Sequence, residues 1–164
     1  MRHGLFLFSF LCAILVSCRR LPDIQGKGDS SLQGLWKQDS VDNAEKLLSY
    51  TVYQFKFTCD SFYVNLTTHS KVNYYQDSCF NKGIWLEYAK GVYRVSSDTV
   101  FLSGTYTKAN YKQKISGCYT IGQYLKKFRL LSRDSTRLVM ENTENQRAFE
   151  LVLKQKITCV QQPL

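Results

Sequence analysis

Two stretches of this chain combine the side chains that recognise sugars and anions. Lys71, Asn73, Tyr74, Tyr75 and Gln76 stand just ahead of Ser78-Cys79, and Lys108, Asn110, Tyr111, Lys112 and Lys114 stand just ahead of Ser116-Gly117-Cys118. The second run, Lys108-Ala109-Asn110-Tyr111-Lys112-Gln113, echoes the first, Lys71-Val72-Asn73-Tyr74-Tyr75-Gln76, in residue type and order. Aromatic rings stack on sugar faces, amides bond hydroxyl groups and ammonium groups pair with anions. These positions are therefore the candidate ligand-binding residues.

Catalytic chemistry has fewer footholds. Beyond residue 17, His69 is the only histidine. It has the chemistry of a general base, yet no serine or cysteine nucleophile motif accompanies it. Its neighbours at period two are Tyr63, Asn65 and Thr67, a row that reads as the wet face of a strand. Asp39, Glu87 and Glu141 are the carboxylates nearest predicted strand interiors, and no spacing among them fixes a pair at a reaction centre. The expectation is a protein that is not an enzyme, with no catalytic residue, metal or cofactor.

The N-terminus supplies an address. A hydrophobic run from Leu5 to Val16 follows the basic Arg2 and closes in Leu15-Val16-Ser17-Cys18. This resembles a secretory signal peptide ending in a lipoprotein box, with Cys18 as the lipidated residue. The run is too short to span a bilayer, and Arg19 and Arg20 follow at once. The implied organisation is a signal peptide over 1–17, a lipidated flexible tether over 18–31, polar and glycine-containing, and one domain over 32–164. The predicted location is the bacterial cell envelope, held to a membrane by lipid.

Composition narrows the domain. With 11 Tyr, 10 Phe and only 2 Pro, the whole chain has the composition of a sheet protein. The net charge of +9 favours anionic surroundings. Lysines scattered over predicted strands and loops, with no stripe and no recognisable motif, argue against nucleic acid. A monomer is expected.

Cys59, Cys79, Cys118 and Cys159 remain once Cys12 and Cys18 are assigned to the leader and the lipid. An even number in an oxidising compartment predicts two disulfides. A metal site would want closely spaced ligand pairs, which are absent.

From Tyr50 onward the chain reads as strands. Tyr53, Phe55 and Phe57 alternate with Gln54 and Lys56, and Phe62, Val64 and Leu66 alternate with Tyr63, Asn65 and Thr67. Tight-turn signals recur at Cys59-Asp60-Ser61, Ser97-Asp98-Thr99 and Arg133-Asp134-Ser135. Asp42 or Asn43 reads as the cap of a short helix through Leu47 and Leu48. Eight strands are predicted, at 33–38, 50–58, 61–70, 84–96, 99–108, 118–132, 136–143 and 146–157. An antiparallel up-and-down meander of even number can close and remove its edges. The fold class is thus all-β, an eight-stranded barrel, with a two-sheet sandwich as the alternative.

Tight turns would gather at one end of that barrel, and the connections Asp39–Ser49, Lys71–Gly83 and Ala109–Gly117 at the other. Strand eight then neighbours strand one and lies close to strand two, so Cys59 should bond Cys159. Cys79 and Cys118, in the echoed loops, should form the second bridge. The tether enters at the tight-turn end, which would point the mouth away from the membrane. Tyr and Phe, 21 in the whole chain and 18 of them beyond residue 17, are numerous enough to fill the interior.

Leu32-Gln33-Gly34-Leu35-Trp36 resembles the Gly-x-Trp opening of lipocalin-like domains. The resemblance implies Trp36 as the plug of the closed end, with Arg137 or Arg147 stacked upon it. Wider stretches, among them Phe55-Lys56-Phe57-Thr58-Cys59-Asp60-Ser61-Phe62-Tyr63 and the run from Lys108 to Tyr119, resemble a group of short bacterial lipoproteins. Some members carry the label fumarate hydratase, so a hydratase is one alternative function. The Gly-Ser-Ser-x-Met-Pro-x-Lys loop of iron-free fumarases is absent here, and iron–sulfur clusters need reduced cysteines. A second alternative is an envelope inhibitor like the barrel lipoproteins that block lysozymes. Their Ser-Gly-x-x-Tyr loop is one residue longer than Ser103-Gly104-Thr105-Tyr106 or Ser116-Gly117-Cys118-Tyr119. The leading expectation is a lipid-anchored barrel that binds an anionic or sugar-like ligand, or an envelope protein, at its open end.

Overall fold

The structure, a computed structural model, describes residues 24–163. The expected signal peptide and Cys18 lie outside those residues. Eight strands run in chain order: β1 (Gly34–Lys37), β2 (Ser49–Thr58), β3 (Ser61–Ser70), β4 (Ile84–Ser96), β5 (Thr99–Thr107), β6 (Gln123–Arg133), β7 (Arg137–Asn142) and β8 (Arg147–Lys156). Each pairs antiparallel with the next, and β8 pairs with β1 to close the barrel. The sandwich alternative is thereby excluded.

Alternation decides what faces inward. Tyr53, Phe55 and Phe57 of β2 form a ladder of near-parallel rings, 5.6 and 5.5 Å between successive centroids. Phe128 of β6 meets Tyr53, Phe55 and Phe149 edge-on, at 5.8, 5.7 and 5.6 Å. Trp36, Phe62, Val64, Leu102, Tyr124, Met140 and Leu151 complete the packing. Rings rather than a hollow occupy the middle of the barrel. Burying side chains of this size is worth roughly 1.5–3 kcal/mol each.

The three expected tight turns lie at one end. Cys59 and Ser97 open two-residue turns in the left-handed region, with φ of 52° and 54°. At the third, the Asp134 carboxylate accepts bonds from the backbone of Thr136 and Arg137, at 2.7 and 2.8 Å. Those bonds hold its pKa below the usual carboxylate range. The Cys59–Cys159 disulfide is at this end and Cys79–Cys118 at the other, as the strand order predicts.

Four expectations need correction. The helix near residue 43 is a single 3₁₀ turn, Ala44–Lys46, and Asn43 sits left-handed before it without a side-chain capping bond. A strand was expected from residue 118, but β6 starts at Gln123. Cys118 is tied to Cys79, and the Thr120 amide donates to Glu87 at 2.9 Å, which draws these residues off the ladder. Neither Arg137 nor Arg147 stacks on Trp36. Arg137 pairs with Glu150 on the outer wall, and the buried Trp36 donates its indole N–H to the Leu32 carbonyl at 2.7 Å. Finally, residues 24–31, the C-terminal part of the expected tether, are bonded to the tight-turn end. Gly26 donates to the Asp60 carboxylate at 2.9 Å, Asp29 N–H donates to the Tyr93 hydroxyl at 3.1 Å, and Ile24 bridges to Pro163.

Candidate functional site

The open end divides into a sealed half and a crevice. The sealed half lies over β3 to β6, where the echoed loops meet. Cys79–Cys118 staples them, and Tyr75, Trp85 and Tyr119 pack as a triangle of rings with centroids 5.2 to 5.6 Å apart. Beneath it, Glu87 points inward from β4. Its carboxylate accepts the Trp85 indole N–H at 3.3 Å and the Thr120 amide at 2.9 Å. Tyr106 faces the same space, and burial followed by the Glu87 charge pushes its hydroxyl up to about 12. Tyr75 is raised for the same two reasons.

The crevice occupies the opposite half, over β1, β2, β7 and β8. A groove of about 490 Å³ runs between the 39–43 segment and β8, lined by Asp39, Asp42, Leu47, Arg147 and Glu150 among others. It adjoins a hollow of about 190 Å³ whose walls include Thr51, Tyr53, Asn142, Asn145 and Phe149. Gln38, Val41, Arg147, Ala148 and Phe149 line both. The floor is aromatic, since Tyr53 and Phe149 stack with centroids 4.7 Å apart. Burial raises the Tyr53 pKa, partly offset by the Asn142 amide beside its hydroxyl.

This half is held open by local chemistry. The Gln38 side chain bonds the Tyr53 amide at 3.3 Å and the Ser40 carbonyl at 3.0 Å, fixing the exit of the 39–43 segment. Asp39 is neutralised by Lys154 at 2.6 Å. At the facing turn, Asn142 accepts the Glu144 amide at 2.9 Å and Asn145 accepts the Arg147 amide at 3.1 Å. The Arg147 guanidinium has no acidic partner within 4 Å among the described residues. Hydroxyls, amides, one guanidinium and a ring floor give the crevice the mixture of polar groups and apolar floor that small-molecule pockets combine.

The sequence candidates are brought to one end but not into one site. Tyr75 joins the sealing triangle, and Lys114 lies over the Tyr119 ring at 5.5 Å. Tyr111 turns out onto the barrel wall, where its hydroxyl donates to Asn65 at 2.6 Å and its ring meets Tyr63. Asn73 and Asn110 accept the amides of Tyr75 and Lys112 and so shape their own loops. Lys71 donates to the Glu45 carbonyl. Tyr74, Gln76, Lys108 and Lys112 are exposed or half-exposed loop positions. His69 stacks on Tyr50 on the outer face, centroids 4.8 Å apart, and Glu141 pairs outward with Arg129 at 2.8 Å. Asp39, Glu87 and Glu141 thus sit in three separate places.

The crevice residues Gln38, Asn142 and Asn145 escaped the sequence reading, and Arg147 entered it only as a partner for Trp36. Their signal was present but faint: a second polar cluster, Asn142 to Arg147, in a turn too short to look like a loop. Comparison with protein families, with curated proteins and with solved structures finds no match to this chain.

Proposed function

We propose that this chain is a lipid-anchored, non-catalytic binding protein of the bacterial envelope, and that its ligand occupies the crevice at the open half of the mouth. One observation carries the reading: the continuous groove and hollow from Asp42 to the Tyr53–Phe149 floor, rimmed by Asn145 and the unpaired Arg147. The filled barrel favours a ligand that rests in the mouth over one swallowed by the interior. Amides and hydroxyls above stacked rings suit a sugar-like molecule. Asp42 and Glu150 at the groove favour a neutral ligand over a strongly anionic one.

Anchoring rests on Leu15-Val16-Ser17-Cys18 and on the docking of residues 24–31 at the tight-turn end, opposite the crevice. A ligand site facing away from the bilayer is the arrangement an anchored receptor needs. The test is native mass spectrometry of the membrane-extracted full chain, followed by titration with a panel of neutral and acidic oligosaccharides. Binding should weaken roughly tenfold in Arg147→Ala and in Asn145→Ala, about one lost hydrogen bond to a polar ligand. A protein that carries no adduct and binds none of the panel would overturn the reading.

A further inference from the structure

The outer wall of β4, β5 and β6 combines unpaired cations with exposed apolar side chains. Arg94, Phe101 and Lys127 lie opposite one another in successive strands. The guanidinium of Arg94 lies 4.2 Å from the Phe101 ring centroid and the ammonium of Lys127 lies 5.7 Å from the same centroid. The next row toward the mouth is Val92, Ser103 and Leu125, with Val92 and Leu125 more than half exposed, at 53% and 55%. Arg94, Phe101, Ser103, Leu125 and Lys127 line a groove of about 450 Å³, whose other side carries Thr143 and Glu144. Neighbouring cations are spoken for, since Arg129 takes Glu141, Arg133 takes Asp29 and Lys126 takes Glu144. Lys90, Arg94 and Lys127 have no acidic partner within 4 Å among the described residues.

We propose that this wall rests on an anionic lipid surface, with Arg94 and Lys127 on the headgroups and Val92, Phe101 and Leu125 entering the interface between them. The proposal rests on the lipid anchor and tilts the barrel onto this wall, which leaves the crevice over β1, β2, β7 and β8 on the side away from the bilayer. Two observations favour a bilayer over other occupants. First, the arm that leads back to Cys18 begins beside this wall. Gln25 donates to the Ser61 hydroxyl at 2.7 Å, and Ser61 is the cross-strand partner of Val92. Six residues from Cys18 to Ile24 reach at most about 20 Å, so a lipid on Cys18 keeps this wall near the membrane. Second, a protein of net charge +9, or +8 once residues 1–17 with Arg2 are removed, repels its own copies, whereas free cations beside exposed apolar side chains match anionic headgroups over acyl chains.

The experiment uses the full chain extracted from membranes, with its Cys18 adduct checked by mass. An environment-sensitive fluorophore is placed on Leu125→Cys or, on the far wall, on Lys37→Cys, an exposed position of β1. Each protein is reconstituted with vesicles of phosphatidylcholine alone or with a third phosphatidylglycerol. The Leu125 probe should shift to the blue only in the anionic vesicles, the Lys37 probe in neither. Arg94→Glu/Lys127→Glu should abolish the shift while leaving the protein attached. Equal signals from both walls, or a shift indifferent to charge reversal, overturn the proposal even when Cys18 is lipidated. If Cys18 carries no lipid, the anchor reading fails separately. The wall is then tested by co-sedimentation, which charge reversal should weaken by roughly tenfold or more. A Leu125 shift that grows with protein concentration and needs no vesicles would assign the face to a second copy instead.

Discussion

Gly91 and Gly104 stand directly opposite each other in β4 and β5, and the missing side chains let two rings meet over them. Phe62 pairs with Gly91 and Tyr124 with Gly104, and the Phe62 and Tyr124 rings approach to 5.7 Å across that gap. A β-carbon on Gly104 would lie 2.1 Å from the Lys90 carbonyl oxygen, and one on Gly91 would lie 2.1 Å from that of Ser103. Gly104→Ala should therefore force β4 and β5 apart and cost about 1–3 kcal/mol or more, as over-packing does. Chemical denaturation should show a lower midpoint at unchanged slope. A variant as stable as the wild type would mean that the barrel relaxes there.

Gln33 clamps the tight-turn end. Its amide oxygen accepts the Cys59 N–H at 2.7 Å, and its nitrogen donates to the Cys59 carbonyl at 2.7 Å and the Tyr93 hydroxyl at 3.1 Å. Gln33→Leu keeps the bulk but orphans a buried N–H and C=O, which should cost about 2–4 kcal/mol. Gln33→Glu keeps only the acceptor and should also destabilise. The check is the thermal midpoint of each variant, and wild-type stability in both would refute the clamp.

The two disulfides should differ in what they hold. Cys59 and Cys159 are 100 residues apart, and Cys59 is fully buried. Replacing both by Ala should remove about 4–5 kcal/mol through unfolded-chain entropy. Cys79 and Cys118 are 39 residues apart and lie in exposed loops. Their replacement should cost less globally and speed amide hydrogen exchange chiefly within residues 71–83 and 108–122. Uniformly faster exchange across the barrel would count against that division.

Buried tyrosines set an alkaline limit. Burial pushes Tyr93 and Tyr106 up to about 12 and Tyr124 well above the ordinary value of 10. A proton held more tightly when folded than when unfolded stabilises the fold fully below pH 10. That contribution is lost as pH rises from 10 toward 12. Absorbance at the phenolate band should therefore rise in two phases, exposed tyrosines first and the buried set together with unfolding. Tyr124→Phe should move the second phase to higher pH, and a single smooth titration would contradict the account.

Asp29 sets the opposite limit. Burial alone would raise its pKa, but bonds from the Ser31 hydroxyl and amide and the Arg133 guanidinium outweigh it and hold the carboxylate below 3.8. Its contribution is present above pH 3.8 and falls away as pH drops toward the lowered folded value. Arg133→Ala should raise the pH at which the arm detaches, read by protease cleavage within residues 24–31. Cleavage with the same pH dependence in both proteins would remove Arg133 from the arm's attachment.

How much was legible follows from how far each signal reaches along the chain. The alternation of Tyr53, Phe55 and Phe57 and the turn residues Asp60, Asp98 and Asp134 are local, so strands and tight turns were readable within a few residues. Counting them and following their directions was enough to anticipate closure and both disulfides, because a meander has few ways to close. What the chain alone did not declare depends on contacts between distant segments. Tyr111 and Tyr75 look alike in their echoed loops, yet one bonds Asn65 on the outer wall and the other packs on Trp85 at the mouth. Glu87 reads as surface charge, and only the loop carrying Thr120 turns it into a half-buried acceptor at the mouth. The crevice joins Gln38 to Asn142 and Arg147 because β1 and β8 are neighbours in a closed barrel. Local pattern thus determined the elements and their order, while tertiary packing decided which polar side chains are spent on structure and which remain free to bind.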